Sequence, residues 1–387
     1  MKKTAIIVIA AIILSIPLTW SLAPGLLEDD SNKVQPHSAY QISPQAQKLH
    51  QSLFIGDWHS DTILWERDPA EESSHGHVDI PRLQKGNVAL QMFTTVTKSP
   101  RGQNYQSNST EAGDNITLLA LAQGWPPRTW NSLAERALYQ AQKIQRLVKD
   151  HPNDAQLILS KKDLAKLVEE RKQGSQVVGA LIGTEGSHAL DGDIKNVQRL
   201  FDAGFRMMSL QHFFDNKLGG SLHGESGAGL TDFGKQVIDE MRQLNIMIDV
   251  SHSAPQVVED VLAYTDTALI VSHSGVYGHC ASKRNISDAL MQKIAQAGGI
   301  VGIGYWDGAV CDTSPQNIVK ALRYAVDLIG VDHVALGSDF DGSTETQLDT
   351  SELAVLTHEM IEANFTEHEI RQIMGENMLL FLERHLP

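Results

Sequence analysis

The stretch L-I-V-S-H-S-G-V-Y-G-H-C-A-S-K-R-N, Leu269–Asn285, decides how the chain is read. A short apolar run, Ala268–Val271, ends on Ser272-His273, and a loop carrying Cys280 and Arg284 follows. An apolar run of this length bounded by turn signals reads as a buried strand. A histidine at its C-terminal end stands where barrel enzymes place their chemistry. The same pattern occurs upstream, where Ile246–Val250, apolar except for Asp249, ends on Ser251-His252. Two strands that close on Ser-His put two imidazoles on one rim.

Further apolar runs lie at Leu53–Ile55, Val88–Phe93, Val177–Ile182, Met207–Leu210, Ile300–Tyr305 and His333–Leu336, making eight candidate strands in all. Segments with apolar residues at three- and four-residue spacing alternate with them: Leu133–Lys149, Asp163–Lys172, Ile194–Ala203, Asp232–Leu244, Ala254–Tyr264, Ser287–Ala297 and Pro315–Ile329. Gly204, Gly298-Gly299 and Gly330 fall just past helix ends, where a left-handed residue is favoured. Strands alternating with helices, without a hairpin signal, imply a parallel sheet. Eight such units imply an α/β fold of the (β/α)₈ TIM-barrel type, with an inserted loop region after strand 2, Lys98–Trp130, and C-terminal helices over Ser351–Leu386. Thr366 with Glu369 has the capping-box pattern.

The strand ends carry the chemistry. Strand one is followed by Asp57-Trp58-His59-Ser60-Asp61, strand three by Thr184-Glu185-Gly186, strand four by Gln211-His212, and strand eight by Ser338-Asp339-Phe340-Asp341. With His252 and His273 the rim holds four histidines and several carboxylates. Any one of them alone is more often structural than functional. Together they are costly to bury unless a cation joins them. Imidazole plus carboxylate without thiolate suits zinc or a similar ion, with cobalt and manganese also fitting. In an extended H-x-D, i and i+2 share a face, so His59 and Asp61 can hold one ion. His252 and His273 can hold a second, with Glu185 bridging. Such a two-metal site activates a bridging hydroxide and polarises a carbonyl. Asp339 then serves as general acid and base, His212 stabilises an oxyanion, and Arg284 grips a carboxylate. His75, His77, His188, His223 and His279 lie in polar loops and read as solvated or as supports for ligands.

These motifs resemble the membrane (renal) dipeptidase family, metal-dependent members of the amidohydrolase superfamily. The resemblance runs from Leu53 to about Leu382 and is carried by D-W-H-S-D, H-V-D-I-P-R-L-Q-K-G, G-T-E-G-S-H, L-Q-H, D-V-S-H, V-S-H-S-G-V-Y-G-H-C-A-S-K-R-N-I-S-D and G-S-D-F-D-G, in this order. It implies dipeptide hydrolysis with two zinc ions: His59 and Asp61 on one, His252 and His273 on the other, Glu185 bridging. His212 and Arg284 would contact the dipeptide substrate and Asp339 would be the general acid and base. The resemblance also implies that the residue after the cleaved bond can be a D-amino acid and that β-lactams can be opened. Trp58 and Ser60 replace the glycine and asparagine usual around the first histidine, which implies a different pocket wall there. Tyr305-Trp306-Asp307-Gly308 and the Lys98–Trp130 loop also depart from the family pattern where substrate is expected. Two other functions compete: a related two-metal amidohydrolase acting on β-lactams or N-acyl amino acids, and a non-catalytic extracytoplasmic binding protein. The complete ligand set speaks against the last.

An apolar content of 42% with 20% charged residues is ordinary for a globular protein. A net charge of −15 without clustered Lys/Arg argues against a nucleic-acid partner. Lys2-Lys3 before the apolar run Ala5–Leu18 makes residues 1–24 a signal peptide, with Ser21-Leu22-Ala23 as its cleavage site, or a retained membrane anchor. Residues 25–47 read as a linker and 48–387 as the barrel domain. Either reading of the N-terminus exports the protein, to the periplasm or the outer face of the inner membrane of a bacterium, with no membrane contact beyond that segment. In an oxidising compartment Cys280 and Cys311 form one disulfide; two buried thiols are the alternative. The oligomeric state stays open, a homodimer included.

Overall fold

The computed structural model describes residues 25–387; the signal or anchor expected over residues 1–24 lies outside the described residues. Eight parallel strands form the barrel: β1 Ile55–Ser60, β2 Val88–Val96, β3 Val178–Glu185, β4 Phe205–Ser209, β5 Met247–Asp249, β6 Ile270–Ser274, β7 Ile300–Ile303 and β8 Val334–Leu336. Each pairs with the next in chain order, and β8 closes on β1 at Leu336↔Asp57. Outside run α1 Ile80–Lys85, α2 Leu133–Asp150, α3 Lys195–Asp202, α4 Asp232–Gln243, α5 Pro255–Tyr264, α6 Asp288–Gln296, α7 Pro315–Ile329 and α8 Ala354–Glu362. This is the (β/α)₈ barrel that the alternation of patterns implies.

Local chemistry sets the element ends. Ser132, Thr231 and Ser287 each accept the backbone N–H three residues on, opening α2, α4 and α6. Pro255 and Pro315 stand at the first positions of α5 and α7, where their missing N–H costs nothing. All residues of β2 and β3 are buried, as strands covered on both faces must be. The Thr366–Glu369 capping box is formed, and the C-terminal helical region bends through a π turn, Gln372–Glu376, before Asn377–His385.

Three elements differ from the sequence reading. β1 runs on through the polar Asp57–Ser60, so His59 lies within the strand. Asp57 makes this tolerable, since its carboxylate accepts the N–H of His59 (2.9 Å) and that of Ser338 (3.2 and 3.3 Å) inside the barrel. α1 is too short to show periodicity in sequence; Asp79 caps it by accepting the Arg82 N–H at 2.9 Å. Residues 25–47 do not run free as a linker: Lys33–Val34 pairs with Glu345–Thr346, Pro44–Gln51 is helical, and Glu28 is buried. Trp58, expected to alter the pocket wall, instead points away from the barrel mouth and meets Phe381 edge-on at 5.7 Å. Cys280 and Cys311 form a disulfide.

Candidate metal centre and active site

Glu185, the last residue of β3, occupies the middle of the barrel's C-terminal mouth. Its Oε1 lies 3.2 Å from His252 Nε2, 3.4 Å from His273 Nε2 and 3.7 Å from His59 Nε2, and its Oε2 lies 3.3 Å from His212 Nε2. His59 Nε2 is 3.5 Å from Asp61 Oδ1 and 3.8 Å from Asp339 Oδ1. His59, Asp61, Glu185, His212, His252, His273 and Asp339 are therefore in one cluster, and all are buried. Two sets of potential ligand atoms lie within 4.8 Å of one another: His59, Glu185, His273 and Asp339, and Glu185, His212 and His252. Glu185 belongs to both, the place a bridging ligand needs. The sets cut across both pairings drawn from sequence: His252 and His273 fall in different sets, and Asp61 falls in neither. Those two rings nevertheless face each other, Nε2 to Nε2, at 2.9 Å.

The reasons for this convergence are local. Asp61 is not extended: with φ −94° and ψ 21° it stands just ahead of the 3₁₀ turn Thr62–Leu64, and its carboxylate, free of any capping bond, lies 3.5 Å from His59 Nε2. Thr94 of β2 donates its hydroxyl to Asp61 Oδ1 at 2.6 Å and lies 3.2 Å from His59 Nε2. Asp249, the one polar residue of β5, accepts the N–H of Ser251 (3.0 Å), the N–H of Ser272 (3.0 Å) and the Ser272 hydroxyl (2.7 Å). A single carboxylate thus pins both Ser-His turns. His252 adopts φ 62°, a left-handed conformation that a bulky residue takes only when its surroundings fix it.

Electrostatics separates the groups. Burial, then Asp61 and Asp339, push the Glu185 pKa well above the usual carboxylate range. Burial raises Asp339 to about 7. Burial pulls His59 down, but Asp61 and Asp339 outweigh it and the net shift is upward. Burial lowers His252 and His273 well below the ordinary imidazole value, helped by Arg284, and lowers His212 to about 4. The neutral imidazoles of His212, His252 and His273 and the mutually repelling carboxylates form a set that a divalent cation suits. His252 Nδ1, buried and without a hydrogen-bond partner, marks the same imbalance. Nitrogen and oxygen donors without sulfur fit zinc, cobalt or manganese.

Arg284 is 1% exposed. Its Nη2 donates to His252 Nε2 and to the His273 carbonyl, both at 3.1 Å, while Nη1 is buried without a partner. Trp306 lies under its guanidinium, 5.2 Å from ring centre, and donates Nε1–H to Tyr105 Oη at 2.9 Å. Tyr105 comes from the inserted loop after β2, so both segments that depart from the family pattern reach the mouth, although Tyr305 is packed away from it against Phe340. The disulfide joins the loop bearing Arg284 to the one bearing Trp306. His212 donates Nδ1–H to the Lys98 carbonyl at 3.1 Å, which leaves a lone pair on Nε2 in the neutral ring. A cavity of about 80 Å³ is lined here by Asp61, Glu185, His212, Arg284, Asp339 and Tyr105 among others. His77 and His223, read as solvated or supporting, are fully buried; His223 packs 5.4 Å from His252. Sequence reasoning passed over Thr94, Asp249 and Tyr105. Asp249 alone left a signal, as a carboxylate in an otherwise apolar strand.

A barrel whose mouth gathers imidazoles and carboxylates around one central glutamate defines a metal-dependent hydrolase. The model of the membrane dipeptidases, peptidase family M19, matches residues 43–384, and the chain belongs to that family. It is a metallo-dipeptidase, a metal-dependent enzyme that hydrolyses dipeptides. Solved structures share the fold. The probable dipeptidase PvdM of Pseudomonas aeruginosa is 18% identical with a TM-score of 0.71, covering 88% of this chain and 97% of its own. The dipeptidase AC, a metallopeptidase of family M19, is 24% identical with a TM-score of 0.67 over 86% and 99%. A metallopeptidase from Rhodobacter sphaeroides, liganded with a phosphinate mimic of the dipeptide L-Ala-D-Ala, is 22% identical with a TM-score of 0.66 over 86% and 99%.

Proposed function

We propose that the protein is an exported dipeptidase that holds two divalent cations, zinc by preference, and accepts dipeptides with a free C-terminal carboxylate, D-residues at that end included. The observation that carries this reading is the Glu185 carboxylate, within 3.7 Å of the imidazoles of His59, His212, His252 and His273. His59 and Asp61 would hold one ion, His252 and His273 the other, with Glu185 shared. Bound there, the cations supply an acidified water and polarise the scissile carbonyl.

The chain's own groups do the rest. Arg284 offers its unpaired Nη1 to the substrate carboxylate, a charge-assisted bond in a buried site. Asp339, its Oδ1 3.8 Å from His59 Nε2 at the mouth, would take a proton from water and hand it to the departing amine. Because Nδ1–H is committed to Lys98 and burial lowers the ring to about 4, His212 would donate to the carbonyl oxygen from Nε2 only after taking a further proton from solvent as negative charge grows on that oxygen. The phosphinate mimic of L-Ala-D-Ala in the Rhodobacter sphaeroides relative supports a D-residue after the cleaved bond. The disulfide supports an oxidising compartment, the periplasm or the outer face of the inner membrane, with residues 1–24 as signal or anchor. Among the described residues no helix is long and apolar enough to cross a membrane.

The test is a panel of L-L and L-D dipeptides, their C-terminal amides, N-acyl amino acids and a β-lactam. Turnover of free dipeptides well above the amides is expected. Preference for N-acyl amino acids or the lactam over every dipeptide would overturn the assignment.

A further inference from the structure

We infer that the segment Glu28–Gln35, ahead of the barrel, is a working part of the active site: through Arg67 and His77 it fixes the loop that carries Asp339. The inference rests on Asp339 being the general acid and base, as proposed above.

The loop after β8 is held in an unfavourable backbone conformation. Asp339, Asp341 and Ser343 take φ of 59°, 63° and 59°, left-handed values that cost a serine more than an aspartate and, three in five residues, need neighbouring structure to hold them. Gly342 lets the loop fold over Asp339; a Cβ there would stand 2.2 Å from Asp339 Oδ1. The enforcing contacts converge on Asp341, which is fully buried. Its Oδ2 accepts from the Thr62 hydroxyl at 2.7 Å and from Arg67 Nη2, and its Oδ1 accepts the His77 backbone N–H at 2.7 Å. Trp65 Nε1 donates to its carbonyl at 2.7 Å. Burial would raise the Asp341 pKa, but Arg67 and His77 outweigh it and the carboxyl is held below its usual range. Asp341 is therefore a buried anion whose main counter-charge is Arg67.

Arg67 is in turn divided between Asp341 and Glu28, whose carboxylate is 1% exposed and pairs with Arg67 Nε. His77 makes a second bridge. Its Nδ1 lies 3.3 Å from Asp341 Oδ1 and 3.2 Å from the Asp341 backbone nitrogen, and its Nε2 donates to the Lys33 carbonyl at 3.3 Å. A third tie bypasses both: Asn32 Oδ1 accepts the Ser343 N–H at 2.9 Å, and Gln35 N–H donates to the Thr346 carbonyl at 2.7 Å beside the Lys33–Val34 pairing. Three ties thus run from one eight-residue segment to one loop, two of them through Asp341 and one through Ser343. Arg67 and His77 are positioning residues for Asp339.

The test uses the full chain with Glu28→Gln, Asn32→Ala and Arg67→Met, and with Arg67→Lys as the conservative variant. Misplacing a reacting group by about 1 Å can cost on the order of 100-fold in rate. Arg67→Met is therefore expected to lower kcat on a dipeptide by about 10- to 100-fold, with KM and bound metal within twofold of wild type. Glu28→Gln and Asn32→Ala should each lower kcat by a few-fold, and Arg67→Lys should restore part of the loss. Amide hydrogen exchange at residues 339–346 should quicken about tenfold or more in Arg67→Met. This second readout needs no activity, so it decides whether these contacts fix the loop even if the wild type proves inactive on dipeptides and the proposed function falls. Unchanged exchange in a folded Arg67→Met protein, or a kcat loss that tracks metal loss, would overturn the inference.

Discussion

Replacing Thr94 with valine removes one proton from the site and almost nothing else. Thr94 is buried in β2, and its hydroxyl faces three acceptors: Asp61 Oδ1 at 2.6 Å, the Ser60 carbonyl at 2.9 Å and His59 Nε2 at 3.2 Å. One hydroxyl has one proton, and the shortest contact, to a carboxylate, claims it. Valine keeps the volume and the β-branch, so strand and packing survive. The loss is one charge-assisted hydrogen bond, about 1.5–3 kcal/mol. If Asp61 is a metal ligand that Thr94 orients, that loss appears as roughly 10- to 100-fold weaker metal binding, the range seen for such supporting partners. The assay is a chelator titration of the loaded protein, with residual metal measured at each step and the melting temperature of the stripped protein as control. The chelator concentration that removes half the metal should fall about 10- to 100-fold while the stripped protein stays folded and melts only a few degrees below wild type. A midpoint within about twofold of wild type would refute the claim that this hydroxyl orients a ligand.

Other consequences follow from the same geometry. Arg284→Met should raise KM for dipeptides about 10- to 100-fold and erase the preference over C-terminal amides, read from steady-state kinetics on paired substrates. His50, buried between Thr357 Oγ1 and the Gly86 carbonyl, has its pKa lowered by burial to about 4. It is neutral in the fold while the unfolded chain takes up a proton below about 6.5, so its contribution is full above that pH and is lost as pH falls toward 4. About 3 kcal/mol is at stake, and His50→Gln should flatten the acid limb of a urea-stability profile between those values. Changing Cys280 and Cys311 together to serine opens a crosslink of sequence separation 31. Loop-closure entropy puts the cost near 3–4 kcal/mol in unfolding free energy, measured by denaturant titration.

The barrel was legible because a parallel sheet covered on both faces leaves short uninterrupted apolar runs, and each of the eight appears where a strand stands. The rim was legible for the same reason: His252, His273 and Glu185 are polar residues stopping an apolar run. β1 was harder. Its polar half, Asp57–Ser60, is a strand only because Asp57 reaches across to Ser338, a contact between opposite ends of the chain that no local pattern reveals. Thr94 sits inside a buried strand among residues of like propensity, and nothing in sequence distinguishes it from packing. Tyr105 lies in a loop whose composition announces irregularity but not direction. Glu28–Gln35 looked like a tether because it is polar; its partners, Arg67, His77 and Ser343, are far along the chain.

The central claim is that Glu185 joins two metal ions in one hydrolytic site. The most direct measurement is a titration of metal-free protein with zinc, following dipeptide turnover and bound metal in the same samples. Activity that rises to a plateau at two equivalents, and a Glu185→Gln protein that neither fills both sites nor turns over, is the predicted result. Full turnover at one equivalent, or two ions retained by Glu185→Gln with unchanged affinity, would contradict it.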